Sequence, residues 1–169
     1  MVIAFNQSST VDGHEATETA VRDRKLYFLT FLALAMSAVH HIDHIIRGNA
    51  VGWPLIEQVN AFTFSLAIYP VIVTGLVLYH LGRVGPGFWA FLSGGGALFV
   101  AAIHLGPQAV EPPTMILDHY HEPAVGVLVF GWLIAFIAVL VVTFGYELRQ
   151  WLRQRRVSST AGEHRAGTG

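Results

Sequence analysis

The chain has 169 residues, of which 53% are hydrophobic and only 12% charged, and its formal net charge is −1. Soluble domains carry roughly a quarter charged residues, so this composition points to a chain whose solvent is largely lipid, and the near-zero charge offers no bulk attraction for nucleic acid. With no cysteine, structural disulfides, thiolate metal sites, iron–sulfur clusters and covalent c-type haem attachment are excluded.

The first 25 residues are polar and read as a disordered tail. They lack the short apolar core and small-residue cleavage site of a signal peptide, so the first apolar span is expected to be kept as an anchor. Four segments then reach the about 20 mostly apolar residues that a membrane helix needs: 26–46, 60–81 with Pro70 inside it, 88–105 and 124–146. The "GRVGPG" turn (82–87) is tight and makes the second and third spans antiparallel neighbours. The other connections are longer and carry Trp53, Glu57, Glu111, Asp118, His119, His121 and Glu122. Residues 149–169 form a basic tail. Within "ELRQWLRQRR" (147–156) the arginines read as a positive stop, with an amphipathic extension of the fourth helix as the alternative, and the last dozen residues are expected to be disordered.

The expected fold is therefore an all-α integral membrane four-helix bundle. Lys and Arg near span ends orient such a bundle. With four spans, Arg22, Arg24, Lys25, Arg83, Arg149, Arg153, Arg155, Arg156 and Arg165 fall on one side, and of the ten basic residues only Arg47 falls on the other. That places both termini in the cytoplasm and suggests the plasma (inner) membrane. The lipid bilayer is the expected partner. Pairing with a second copy or with another membrane protein stays open.

The polar residues inside the spans carry the chemistry. "HHIDHIIRG" (40–48) closes the first span. On a helix at about 100° per residue, with His40 at zero, Asp43 falls at about −60°, His44 at about +40° and Arg47 at about −20°. These four share one stripe with Ser37, Met36 and Ala33, while His41, at about +100°, falls at its edge or outside. In the third span His104 shares a stripe with Val100, Ala97 and Ser93. The run "SGGGA" (93–97) would let a neighbouring backbone approach closely. Before the fourth span, Pro123 suits a first helical turn and leaves Glu122 near the N-cap. The topology thus brings six of the nine histidines (40, 41, 44, 104, 119 and 121) to one extracytoplasmic level, together with Asp43, Asp118 and Glu122.

Ionisable groups inside a span cost about 2.5–3.5 kcal/mol each at the helix centre, so they mark function by default. His40 and His44, four residues apart, can reach one ion, the spacing that helical zinc ligands use. His104, His121 and either Glu122 or Asp118 would complete a set of metal ligands. Asp43 would orient a ligating imidazole or pair with Arg47, and His41, His119 and Arg47 would support the site. Imidazole and carboxylate donors suit zinc, iron, manganese or copper(II). Haem b, held by His40 or His44 opposite His104, ranks below a non-haem ion, because six histidines and three carboxylates exceed two axial positions. Two further readings stay open: a histidine-based pH sensor or permease, and a structural or partner-binding protein without chemistry. No nucleotide or nucleophile motif is present, and whether the protein is an enzyme stays undecided.

Overall fold

The computed structural model describes residues 23–48 and 60–166, with side chains described as far as Arg156. Every element among them is helical. Helix α1 (Arg24–Arg47) starts at Asp23, whose carboxylate accepts from the backbone N–H groups of Lys25 and Leu26. These would otherwise be orphan donors of the first turn. The helix stops at Gly48, where φ is +60°, a backbone region that residues with a Cβ rarely enter.

The second span is interrupted. Helix α2 (Ala61–Ser65) opens with a reciprocal Asn60/Thr63 capping box, and α3 (Ile68–His80) follows after a turn at residues 66–67. The break has a local cause. Pro70 has no N–H for the Leu66 carbonyl one turn earlier, and that carbonyl accepts instead from Tyr69 at 3.3 Å. Helix α4 (Pro86–Leu105) has Pro86 in its first turn, short α5 (Pro113–Leu117) follows, and α6 runs Pro123–Ala166. It begins at Pro123 as expected, but continues beyond the expected end at Tyr146 and through most of the segment expected to be a disordered tail. No proline interrupts that stretch, and Leu, Arg and Gln favour the helix.

Four helices are long and apolar enough to cross a membrane: Arg24–Arg47, Ala61–His80 taken as one span, Pro86–Leu105 and Pro123–Arg156. Large apolar side chains such as Phe28, Phe91, Leu98, Leu128 and Val142 cover the outside, which suits a lipid solvent. The core is small: Ala33, Met36, Ala97, Phe136 and Leu140. Among the described residues α6 packs most closely against α4 and next against α1, while α2 and α3 stand further off. The "SGGGA" stretch does provide close contact, but to a side chain. A Cβ on Gly94 would come within 2.8 Å of the Phe144 ring. A tighter point is Gly126, where a Cβ would meet the Leu117 carbonyl oxygen at 2.6 Å.

The helices sort polar groups to two ends. One end gathers the C-terminal turns of α1 and α4 and the start of α6. At the other, Tyr146 donates to Asp23, Tyr27 meets Tyr79 edge-on, and Arg24, Lys25, Arg83, Arg149, Arg153, Arg155 and Arg156 are exposed. Trp53 and Glu57 lie outside the described residues.

Gly126→Ala is expected to destabilise the fold by about 1–3 kcal/mol, because backbone on α5 must move. Gly131→Ala, with nothing within 4 Å of its Cβ, should be neutral or stabilising by up to about 1 kcal/mol. Thermal unfolding of the two variants in detergent compares them directly.

Candidate metal centre

His40 and His44 lie one turn apart on the buried face of α1, and His104 sits in the last turn of α4. His104 is only 2% exposed, and His40 and His44 are buried. One nitrogen from each ring falls within 4.8 Å of the others, and His40 Nε2 is 3.1 Å from His44 Nε2. Two nitrogens bound to one tetrahedral zinc at about 2.0–2.1 Å stand about 3.3 Å apart. The spacing therefore suits a single ion with little movement.

A residue from the loop between α4 and α5 lies against two of the remaining ring nitrogens. The Glu111 backbone carbonyl lies 3.2 Å from His104 Nδ1. A carbonyl only accepts, so His104 donates through Nδ1 and keeps a bare lone pair on Nε2. The carboxylate Oε1 of the same residue lies 3.0 Å from His44 Nδ1, but off the line of a hydrogen bond, which that nitrogen does not make. Glu111 thus fixes the His104 ring, in the way carbonyls orient imidazoles, and stands beside that of His44.

Glu111 is itself fixed. Its N–H donates to the Ile103 carbonyl, and its Oε2 lies 3.3 Å from the Arg47 guanidinium. Arg47, 2% exposed, also binds Asp43, with Nε donating at 2.8 Å and the second contact at 2.7 Å. Tyr120 donates its hydroxyl to the other Asp43 oxygen. Partial burial and this bond to a carboxylate push the Tyr120 phenol up to about 12. Its stabilising contact is therefore complete below the ordinary tyrosine range near 10 and is lost only as pH rises through about 12. One arginine facing two carboxylates leaves the cluster net negative, which favours a cation beside it.

The structure brings together His40, His44, His104, Asp43 and Arg47. It does not bring in Asp118, His119, His121 or Glu122, all of which are exposed. The reason lies in the loop before α6: Tyr120 turns inward to Asp43, while its neighbours His119 and His121 face outward. His41 stands off the stripe that His40 and His44 share, as the helical wheel has it. It is buried, with Nδ1 2.8 Å from the Tyr69 hydroxyl and Nε2 2.8 Å from Ser65 Oγ, so it ties α1 to the second span instead of joining the other three. Glu111 was legible only as a loop carboxylate; its signal is that it follows His104 by seven residues in a loop short enough to fold back. Glu147, at the opposite end of the bundle, also escaped notice. It is wholly buried with neither carboxylate oxygen hydrogen-bonded.

Comparison with protein families, curated proteins and solved structures finds no match. The geometry alone therefore carries the reading. A buried group of three imidazoles, His40, His44 and His104, is able to hold a metal ion.

Removing Arg47 would leave Asp43 and Glu111 as buried, mutually repelling carboxylates. Arg47→Leu is expected to cost about 3–5 kcal/mol, whereas Asp118→Asn on the exposed loop should change stability by less than about 0.5 kcal/mol. Urea or thermal unfolding of the detergent-solubilised protein measures both.

Proposed function

We propose that this protein is a multi-pass membrane protein holding one non-haem transition-metal ion on His40, His44 and His104, at the extracytoplasmic side of the plasma membrane. One observation carries the reading: three buried imidazoles bring one nitrogen each within 4.8 Å of the others, with Glu111 holding Nδ1 of His104. Imidazole donors suit zinc, iron or copper(II). Three protein ligands leave at least one coordination position open, the pattern of reactive rather than closed structural sites. The orientation follows the basic residues, which crowd the end opposite the histidines.

Haem b fits less well. Two axial histidines must face each other across a porphyrin, but here the His40 ring stands 4.6 Å from His44 and 5.0 Å from His104, edge-on to both. No slab-like gap separates them.

Elemental analysis and an absorption spectrum of the same detergent-purified sample test the assignment. Stoichiometric metal without a Soret band is expected, and a His40→Ala/His104→Ala double variant should lose it. His121→Ala and Glu122→Gln should keep it. Glu111→Gln should weaken metal affinity by about 10–100-fold. A metal-free protein that takes up no added zinc, iron, manganese or copper would end the metal reading, and a Soret band would convert it to haem. Because the chain has no cysteine, a single His121→Cys reports orientation: a membrane-impermeant thiol reagent should label it from outside intact cells.

A further inference from the structure

The metal group is one end of a larger chamber. A cavity of about 600 Å³ runs between the four spans from His44, His104 and Glu111 to Thr30, Trp89 and Thr143. Thr30 and His44 are fourteen positions apart on α1, so the chamber extends about 20 Å along the bundle at 1.5 Å per residue. The two ends differ in chemistry. Near the histidines, Ser37, Asn60, Ser65 and His41 add hydrogen-bonding groups, whereas Ile68, Ile72, Phe99, Phe136 and Leu140 line the stretch beyond.

The chamber opens sideways. Phe64 and Ala67 on the second span and Phe91 and Gly95 on α4 all line it, and all four are solvent-exposed residues. Its mouth thus lies between the second span and α4, on the face that lipid covers. This is also the pair of elements that pack less closely than α4 packs on α6.

We infer that the chamber binds a fatty acyl chain with an oxygen-donor head group, taken from the bilayer between the second span and α4, with its head at His40, His44 and His104. For the head-group contact this rests on the metal site proposed above. A chain moving from lipid into an apolar chamber exchanges one hydrocarbon environment for another, so burial alone supplies little affinity. Selectivity falls to the polar end. The open position of a three-histidine ion accepts a carboxylate, hydroxyl or carbonyl oxygen.

The test uses the full-length, metal-loaded protein in mild detergent and a palmitic acid carrying a photoreactive diazirine near its chain end. After irradiation, labelled peptides are mapped by mass spectrometry and the metal content of each sample is measured. Labels are expected on the lining of α4 and α6 near Trp89, Ser93 and Thr143. Gly96→Leu places a side chain in the chamber, where a Cβ meets only Leu140 at 3.8 Å, and a leucine favours the helix. It should cut labelling at least tenfold with metal content unchanged. Gly95→Phe, where nothing lies within 4 Å of the Cβ, should do the same at the mouth. Labelling spread over outward residues such as Phe28 and Leu128, and unaffected by Gly96→Leu, would overturn the inference while leaving the metal site standing. Absence of labelling with metal intact would overturn it as well. Chamber labelling in a metal-free protein would support the lipid site and sink the metal reading alone.

Discussion

Arg47 is the residue on which the polar end of the bundle depends. It is a cation buried at the end of an apolar helix, and its guanidinium is shared between Asp43 one turn back and Glu111 from a distant loop. A buried charge is tolerable only when paired and hydrogen-bonded. Here each partner has a second task. Asp43 accepts from Tyr120 and so pins the loop before α6. Glu111 reaches His44 with its side chain and His104 with its backbone. One planar fork of donors therefore links α1 to the loops on either side of α5 and holds Glu111 against histidines on two helices. A lysine could not serve this way, since a point charge cannot grip two carboxylates in fixed directions.

The rest of the frame is economical in a manner suited to lipid. Without a hydrophobic drive between helices, association relies on close packing and polar contacts. Close packing is concentrated where α4 meets α6, with Phe144 seated against Gly94 and Ala97, Phe136 and Leu140 forming most of the core. Polar contacts do the remaining work at both ends, through Tyr146 and Asp23 at one and the Arg47 cluster at the other. Between them Trp132 donates to the Met36 carbonyl and joins α6 to α1.

Much of this arrangement was legible in the residues. Runs of apolar residues marked out four helices of membrane length, though not how far the last one continues, and the helical wheel placed His40, Asp43, His44 and Arg47 on one buried stripe. The even number of spans brought His104 to the same level as His44. What escaped was set by loops and by neighbours, not by any period. Which of Glu111, Asp118, His121 and Glu122 turns inward depends on how the chain between α4 and α6 folds back. Only long-range contacts, Glu111 to Arg47 and Tyr120 to Asp43, decide it. His41 falls off that stripe on the wheel and does stand apart from the other three. A wheel drawn on one helix defines an inward face, but not where a fourth helix stands, and it is Tyr69 and Ser65 on the second span that take up the His41 ring. The long continuation of α6 was discounted because charge marks the end of a membrane span, although charge does not end a helix.

The second span then takes on a distinct role. Helices α1, α4 and α6 form a frame in which the three histidines and their supports are held by backbone, carboxylate and guanidinium together. The span made of α2 and α3 contributes none of the three histidines and stands further from that frame. At the histidine end it is linked through Phe62, which packs on the His41 and His44 rings, and through the His41 ring, grasped by Ser65 just before the helix break and by Tyr69 just after it. The break at residues 66–67 divides the span beside the chamber mouth, where Phe64 and Ala67 line the opening. The Leu66 carbonyl, which Pro70 cannot serve, accepts from Tyr69 instead, and Val71 still donates to Ala67 across the break. The change of course thus costs the span little of its backbone bonding, while it lets Phe62 before the break and Tyr69 after it meet the same histidine.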